Sequence, residues 1–213
     1  MQVSAYLKLS IAVAIATILL KTGAWWFTGS VGLLSDAMES VVNLAGAMFA
    51  LAMVTIAARP PDDDHPFGHH KAEYFSSGFE GALIFAAALA IIWAAIDRLL
   101  HPQALTQLDL GLALSIIASV LNGALAWAML KKSRERRSMA LEADARHLFT
   151  DVWTSVGVVV GLVAVMFTGW LWLDPVIAIA VAGNVAREGL NLIRKSADGL
   201  TDRAVEPAEL KKI

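Results

Sequence analysis

Apolar residues along this chain gather into six long runs, divided by short polar stretches rich in proline, glycine and charge. Each run is long enough for an α-helix to cross a bilayer, which takes about 20 residues. The pattern predicts a first span from about Tyr6 to Phe27, broken by Gly29. A second runs from about Leu33 to Ala58 and stops before Pro60-Pro61. A third runs from about Phe75 to Leu100 and stops before Pro102. The fourth starts near Asp109, an N-cap candidate, and ends at the basic run Lys131–Arg137. The fifth runs from about Met139 to Phe167. The sixth begins at Asp174-Pro175, a capping residue followed by proline at the first helical position, and ends near Arg194. The expected fold class is an all-α membrane protein with six transmembrane helices.

Composition agrees. The chain has 213 residues, 57% of them hydrophobic, and a mean hydropathy of +0.62, too apolar for an ordinary soluble domain. Cysteine is absent, which excludes thiolate metal sites, disulfides and thiol nucleophiles. The first apolar run is followed by Lys21 and Trp25-Trp26-Phe27, not by the small residues of a signal-cleavage site. The net charge of −2 says little; the placement of Lys and Arg says more. They cluster in the loop around Arg59 and Lys71, in Lys131–Arg137, and in the tail with Arg194, Lys195 and Arg203. The loops at the other end hold none. By the positive-inside rule both termini are cytoplasmic, with Trp25, Trp26, Trp170 and Trp172 at the outer interface.

Polar residues inside the spans carry the chemistry. His147 and Asp151 are four apart in the fifth span and share a face. Glu39 and Asn43 are four apart in the second. With ~1.5 Å of rise per residue, both pairs lie about halfway along their helices and meet at one depth. Together they offer one nitrogen and three oxygen donors, a tetrahedral set suited to a borderline divalent transition metal. Asp36, nearer the outer end, reads as an accessory donor, a cap or a solvated residue. Taken singly, a histidine in an apolar helix is more often structural and an asparagine is often glue between helices. Taken jointly, the pairs bury two carboxylates with no evident basic partner at that depth. A bound cation or protons would relieve that cost.

A second cluster lies in the loop Pro61–Glu73, PDDDHPFGHHKAE. Asp62, His65 and His69 converge if Pro66 and Gly68 turn the chain; a solvated mixed-charge loop is the equal alternative. Glu80, Asn122 and Asn184 read as packing or interhelical hydrogen-bonding residues. Ser40 with His147 hints faintly at a hydrolase, but GxSxG, HExxH, Walker A and dinucleotide motifs are absent.

At these residues the chain resembles the cation diffusion facilitator family of divalent-metal/proton antiporters. SVGLLSDAMESVVN is similar to the family's second-helix motif, HPFGHHKAEYFSSGFEG to its loop and third helix, EADARHLFTDVWTSVGV to its fifth helix, and Asp174-Pro175 to the start of its sixth. The resemblance implies a cation-efflux transmembrane domain that works as a homodimer in the bilayer. Glu39, Asn43, His147 and Asp151 would form the transport site, with Asp62, His65 and His69 as a secondary loop site and Lys71 paired to Asp202. Family members most often carry His or Asp at the position of Glu39 and Asp at that of Asn43. Glu and Asn make a harder site, which admits Mn²⁺ or Fe²⁺ beside Zn²⁺. Residues 1–200 are expected to be the transport domain. Residues 201–213 would begin a cytoplasmic C-terminal segment, the family's usual C-terminal domain being absent.

The expected activity is export of a divalent transition-metal cation (Zn²⁺, Fe²⁺ or Mn²⁺) from the cytoplasm by proton antiport. The setting would be the bacterial inner membrane, with no tightly bound cofactor and no nucleic-acid partner. The rivals are a membrane metal sensor that binds without transport and, far behind, an intramembrane hydrolase using His147 with Ser40 or Asp151.

Overall fold

The computed structural model describes residues 3–136 and 139–201; within these, the side chains of 3–8, 134–136, 139–144 and 147 fall outside the described part. Six helices follow in order: α1 (Val3–Thr28), α2 (Val31–Ala57), α3 (Lys71–Leu100), α4 (Leu108–Arg136), α5 (Met139–Thr168) and α6 (Leu173–Leu200). Each contains a stretch long and apolar enough to cross a membrane, with mean hydropathy from 1.4 to 2.2. No strand occurs among the described residues. The choice of helix follows from the solvent. Hydrocarbon offers no hydrogen bonds, so a spanning backbone must satisfy its own amides internally. The protein is therefore an all-helical, six-span membrane protein, as the apolar runs imply.

The expected boundaries hold to within a few residues, except that α3 begins four residues earlier than expected and α6 continues about six residues past Arg194. Two glycines end helices by turning left-handed. Gly29 (φ 67°) follows α1 and Gly169 (φ 70°) follows α5. Their N–H groups close onto Trp25 O and Val165 O at 2.8 Å each, in the manner of αL caps. The carbonyl of Gly29 in turn accepts from the Arg98 guanidinium.

The chain forms two compact units. One holds the chain through Val41 together with Ala87–Asn184; the other holds Val42–Ala86 and the chain from Val185. In the first, α4 packs on both α1 and α5. Ala24, Leu33, Leu112, Val158 and Leu162 form one buried cluster, and Leu125, Met129, Ala145 and Leu148 lie in another. Large apolar side chains such as Leu19, Trp93, Trp127, Trp153 and Phe167 are left exposed, which suits a surface bathed in lipid. Trp26, Trp170 and Trp172 are also exposed. They lie at the end where α1 and α5 finish, the position of an interfacial aromatic belt.

In the second unit α3 and α6 approach backbone to backbone. A Cβ on Gly81 would stand 2.7 Å from Gly189 O, and one on Gly189 would stand 2.8 Å from Gly81 O. Only glycine permits that approach, a common route to close packing between membrane helices. Ser196 Oγ donates to Tyr74 O at 2.6 Å and Lys71 Nζ donates to Leu200 O at 3.2 Å, tying the start of α3 to the end of α6. Asp202, the residue expected to pair with Lys71, lies outside the described residues.

Candidate metal centre

The start of α2 is built by a residue far away in sequence. Asp174 was expected to cap its own helix. Instead, α6 begins one residue before it, and its carboxylate lies at the N-terminus of α2. Oδ1 accepts from Ser30 Oγ at 2.5 Å and from Gly32 N at 3.2 Å; Oδ2 accepts from Val31 N at 2.8 Å. Ser30 Oγ also accepts from Leu33 N at 3.1 Å, a normal N-cap bond. A buried carboxylate has two oxygens to satisfy, and the unpaired amides and positive end of α2 answer both. These bonds place the α5–α6 turn beside the start of α2.

One turn further along α2 comes a buried ion pair. Lys21 of α1 donates to Asp36 Oδ1 at 2.8 Å, and each side chain is only 1% exposed. Lys21 Nζ also donates to Ser40 Oγ at 3.0 Å, and Ser40 Oγ donates to Asp36 O at 3.1 Å. Ser155 of α5 adds a bond to Asp36 Oδ1 at 2.7 Å. The reading of Asp36 as a cap or a solvated residue is thus corrected: it is fully buried and held by α1 and α5. The clue that would have found its partner is Lys21, a lysine inside an apolar span. Such a residue must find an anion or reach the interface. The hydroxyl of Ser40 is committed within the same network.

The Ser155–Asp36 bond also sets register. Because α5 ends at the turn that meets the start of α2, the two helices run antiparallel, with residue 155 level with residue 36. Counting back ~1.5 Å per residue brings Asp151 level with Ser40 and so beside Glu39. Asp151 is 8% exposed and shares a face with Ser155. Glu39 is half-buried, with Oε2 fully covered. Asn43 follows one turn along α2 and is half-buried; it belongs to the other compact unit. His147 is helical, one turn before Asp151 on α5, and its side chain lies outside the described part. Asn122 on α4 is buried, and its Oδ1 has no hydrogen-bond partner among the described residues.

The loop between α2 and α3 brings its three expected residues together. Asp62, His65 and His69 each offer a donor atom, all within 4.8 Å of one another. His65 Nδ1 lies 3.0 Å from Asp62 Oδ1, and His69 Nε2 lies 3.3 Å from Asp62 Oδ2. The two rings stand 4.3 Å apart, centroid to centroid. The turn that does this is local. His65 N donates to Asp62 Oδ1 at 2.7 Å, Gly68 N donates to His65 O at 2.9 Å, and Gly68 takes φ 81°. The hydrogen bond from the His65 ring holds the Asp62 carboxyl below the ordinary aspartate range; desolvation opposes this, and the His65 amide and the charges of both rings add to the lowering. Two imidazole nitrogens and a carboxylate oxygen are a fitting donor set for a borderline divalent cation. Asp62 and His65 are exposed, so water can complete the coordination.

Residues 7–201 match the family model described as the cation efflux transmembrane domain. The chain belongs to this family. It is 54% identical over 208 residues to an uncharacterised transporter of Synechocystis, covering 98% of this chain and 67% of that one. It is 29% identical over 202 residues to the cation-efflux pumps FieF of Salmonella arizonae and Salmonella newport, covering 95% of this chain and 67% of each. The protein is thus a multi-pass bacterial membrane protein of the cation efflux family.

Proposed function

We propose that the protein exports a divalent transition-metal cation of the Zn²⁺, Fe²⁺ or Mn²⁺ class in exchange for protons. Glu39, Asn43, His147 and Asp151 form the transport site. The observation that carries this reading is the antiparallel register of α2 and α5, which brings Asp151 level with Ser40, the residue that follows Glu39. Asn43 and His147 then each stand one turn further from the α1–α2 turn on their own helices. The FieF relatives are named as cation-efflux pumps, which favours efflux over binding alone.

Exchange follows from the donors. Metal binding needs a neutral imidazole and two ionised carboxylates, so metal and protons compete for the same groups. A site that is metal-loaded on one side of the membrane and protonated on the other carries the two in opposite directions. In this reading both termini face the cytoplasm, two copies of the chain associate, and Lys71 pairs with Asp202. Asp62, His65 and His69 bind the same class of cation at the loop and are not obligatory for passage. No resident cofactor is needed, because the metal is the cargo.

The test is flux in proteoliposomes with a metal-sensitive dye inside and an imposed pH gradient. Metal uptake that collapses when the gradient is dissipated supports antiport. Binding without gradient-dependent flux would mean a sensor, and the ranking of Zn²⁺, Mn²⁺ and Fe²⁺ rates identifies the cargo.

A further inference from the structure

The buried Lys21 contacts residues beside the proposed site and is not one of its proposed ligands. Its ammonium is 1% exposed and held at 2.8 Å from Asp36 Oδ1 and 3.0 Å from Ser40 Oγ. Both contacts are with α2, and Asp36 carries the link on to α5 through Ser155. Asp36 precedes Glu39 by three residues and Ser40 follows it directly, while Ser155, the other donor to Asp36, lies one turn from Asp151. The second oxygen of Asp36 is buried and has no hydrogen-bond partner among the described residues. Asp36 is therefore a carboxylate within ~5 Å of rise of Glu39, with one oxygen pinned and one bare.

We infer that Lys21 is a positioning and selectivity-determining residue. It is a tethered cation that keeps Asp36 out of the metal's ligand set and holds the site at two carboxylates. The inference rests on the transport-site reading above. Charge gives the reason. Glu39 and Asp151 together carry two negative charges, which match a dication. Lys21 cancels the third, on Asp36. Without the ammonium, a third anion would stand free beside the site, with its bare oxygen available to the metal. The dication would be held more tightly and released more slowly. An added hard oxygen donor also shifts preference towards oxygen-loving ions, Mn²⁺ over Zn²⁺. The ion pair thus protects turnover and metal choice together, while its links to α1, α2 and α5 fix where Glu39 and Asp151 stand. Buried pairs are weak sources of stability in themselves, so a role in charge matching gives this one a reason to be there.

The test uses the full chain, with every variant measured at the same pH. Calorimetry measures Zn²⁺ and Mn²⁺ affinity, and proteoliposome flux gives KM and kcat. Lys21→Met is expected to bind Mn²⁺ about tenfold tighter or more, to lower KM and kcat together, and to move the ranking towards Mn²⁺. Lys21→Arg, which keeps the charge, is expected to keep the wild-type ranking. Lys21→Met combined with Asp36→Asn removes both charges and should return affinity and ranking to wild-type values. A purely structural clamp would instead lower kcat in both Met variants with no change in affinity or ranking, and that result overturns the inference. If Lys21→Met fails to fold, the charge-neutral double variant decides. Wild-type affinity with wild-type kcat supports the inference; a lowered kcat marks a structural clamp, weakened binding marks Asp36 as a ligand, and either overturns it. Asp151→Ala, measured alongside, separates the two readings. If it binds metal like wild type, the transport site itself is misassigned.

Discussion

Two clusters of carboxylate and cationic groups in this protein solve opposite problems. In the first unit, Asp36 and Asp174 are buried in spans where water cannot reach them, and each is answered by fixed donors. Lys21 and Ser155 serve Asp36; Ser30 and the first amides of α2 serve Asp174. In the second unit, Asp62 is exposed and is answered by two imidazoles from its own loop. The buried groups are held by partners on other helices and have little freedom to change them. The loop groups are held by neighbours three and seven residues away, with solvent at hand to complete a metal's shell. Buried charges are matched by fixed partners on other helices, whereas the exposed loop leaves its donors open to solvent.

The buried half should break hardest. Asp174→Ala removes three hydrogen-bond acceptor contacts from the start of α2 and leaves the amides of Val31 and Gly32 without them. A loss of roughly 2–3 kcal/mol is expected, visible as a lower midpoint in thermal unfolding in detergent. An unchanged midpoint would mean that another group caps α2. A smaller effect is expected from Asn43→Asp, which adds a carboxylate that must shed its proton before metal binds. Affinity should rise at high pH and fall more steeply as pH drops. Calorimetry across pH for Zn²⁺, Mn²⁺ and Fe²⁺ checks this, and curves parallel to wild type would place Asn43 away from the metal.

The loop should break softly. Replacing His65 and His69 together with Ala is expected to lower loop metal occupancy while the fold and measurable flux persist; complete loss of flux in a folded protein would make the loop part of the obligatory path. The smallest effect is a titration. The His65 ring depresses the Asp62 pKa, so their contact is present at neutral pH and is lost as pH falls through the lowered Asp62 value. His65→Ala should move Asp62 up towards the ordinary aspartate range by carboxyl NMR. No movement would mean that the ring is not what holds it down.

What the sequence made legible, and what it hid, follows the same division. The six spans could be read because bilayer thickness sets their length and Gly29, Pro60 and Pro102 punctuate them. The loop triad could be read because its partners lie within one turn of chain, with Pro66 and Gly68 to bend it. Asp174 was misread as a cap for α6 because its partners lie more than 140 residues away, where no periodicity points. Lys21 was missed as the partner of Asp36 because the two stand 15 positions apart, across a helix end and a turn. The close approach of Gly81 and Gly189 was also hidden, since a glycine in an apolar run does not say which helix it admits. Residue spacing predicts which groups share a face; only packing decides which face they meet.

The most direct test of the account compares two variants in one flux experiment. Asp151→Ala and the His65→Ala/His69→Ala double variant are reconstituted at equal density in proteoliposomes, with folding checked first. Metal entry is then followed under the same pH gradient. The expected result is loss of flux in Asp151→Ala, on the order of a hundredfold or more for a missing anionic ligand among four, against measurable gradient-driven flux in the loop variant. Wild-type flux in Asp151→Ala would contradict the assignment of the transport site.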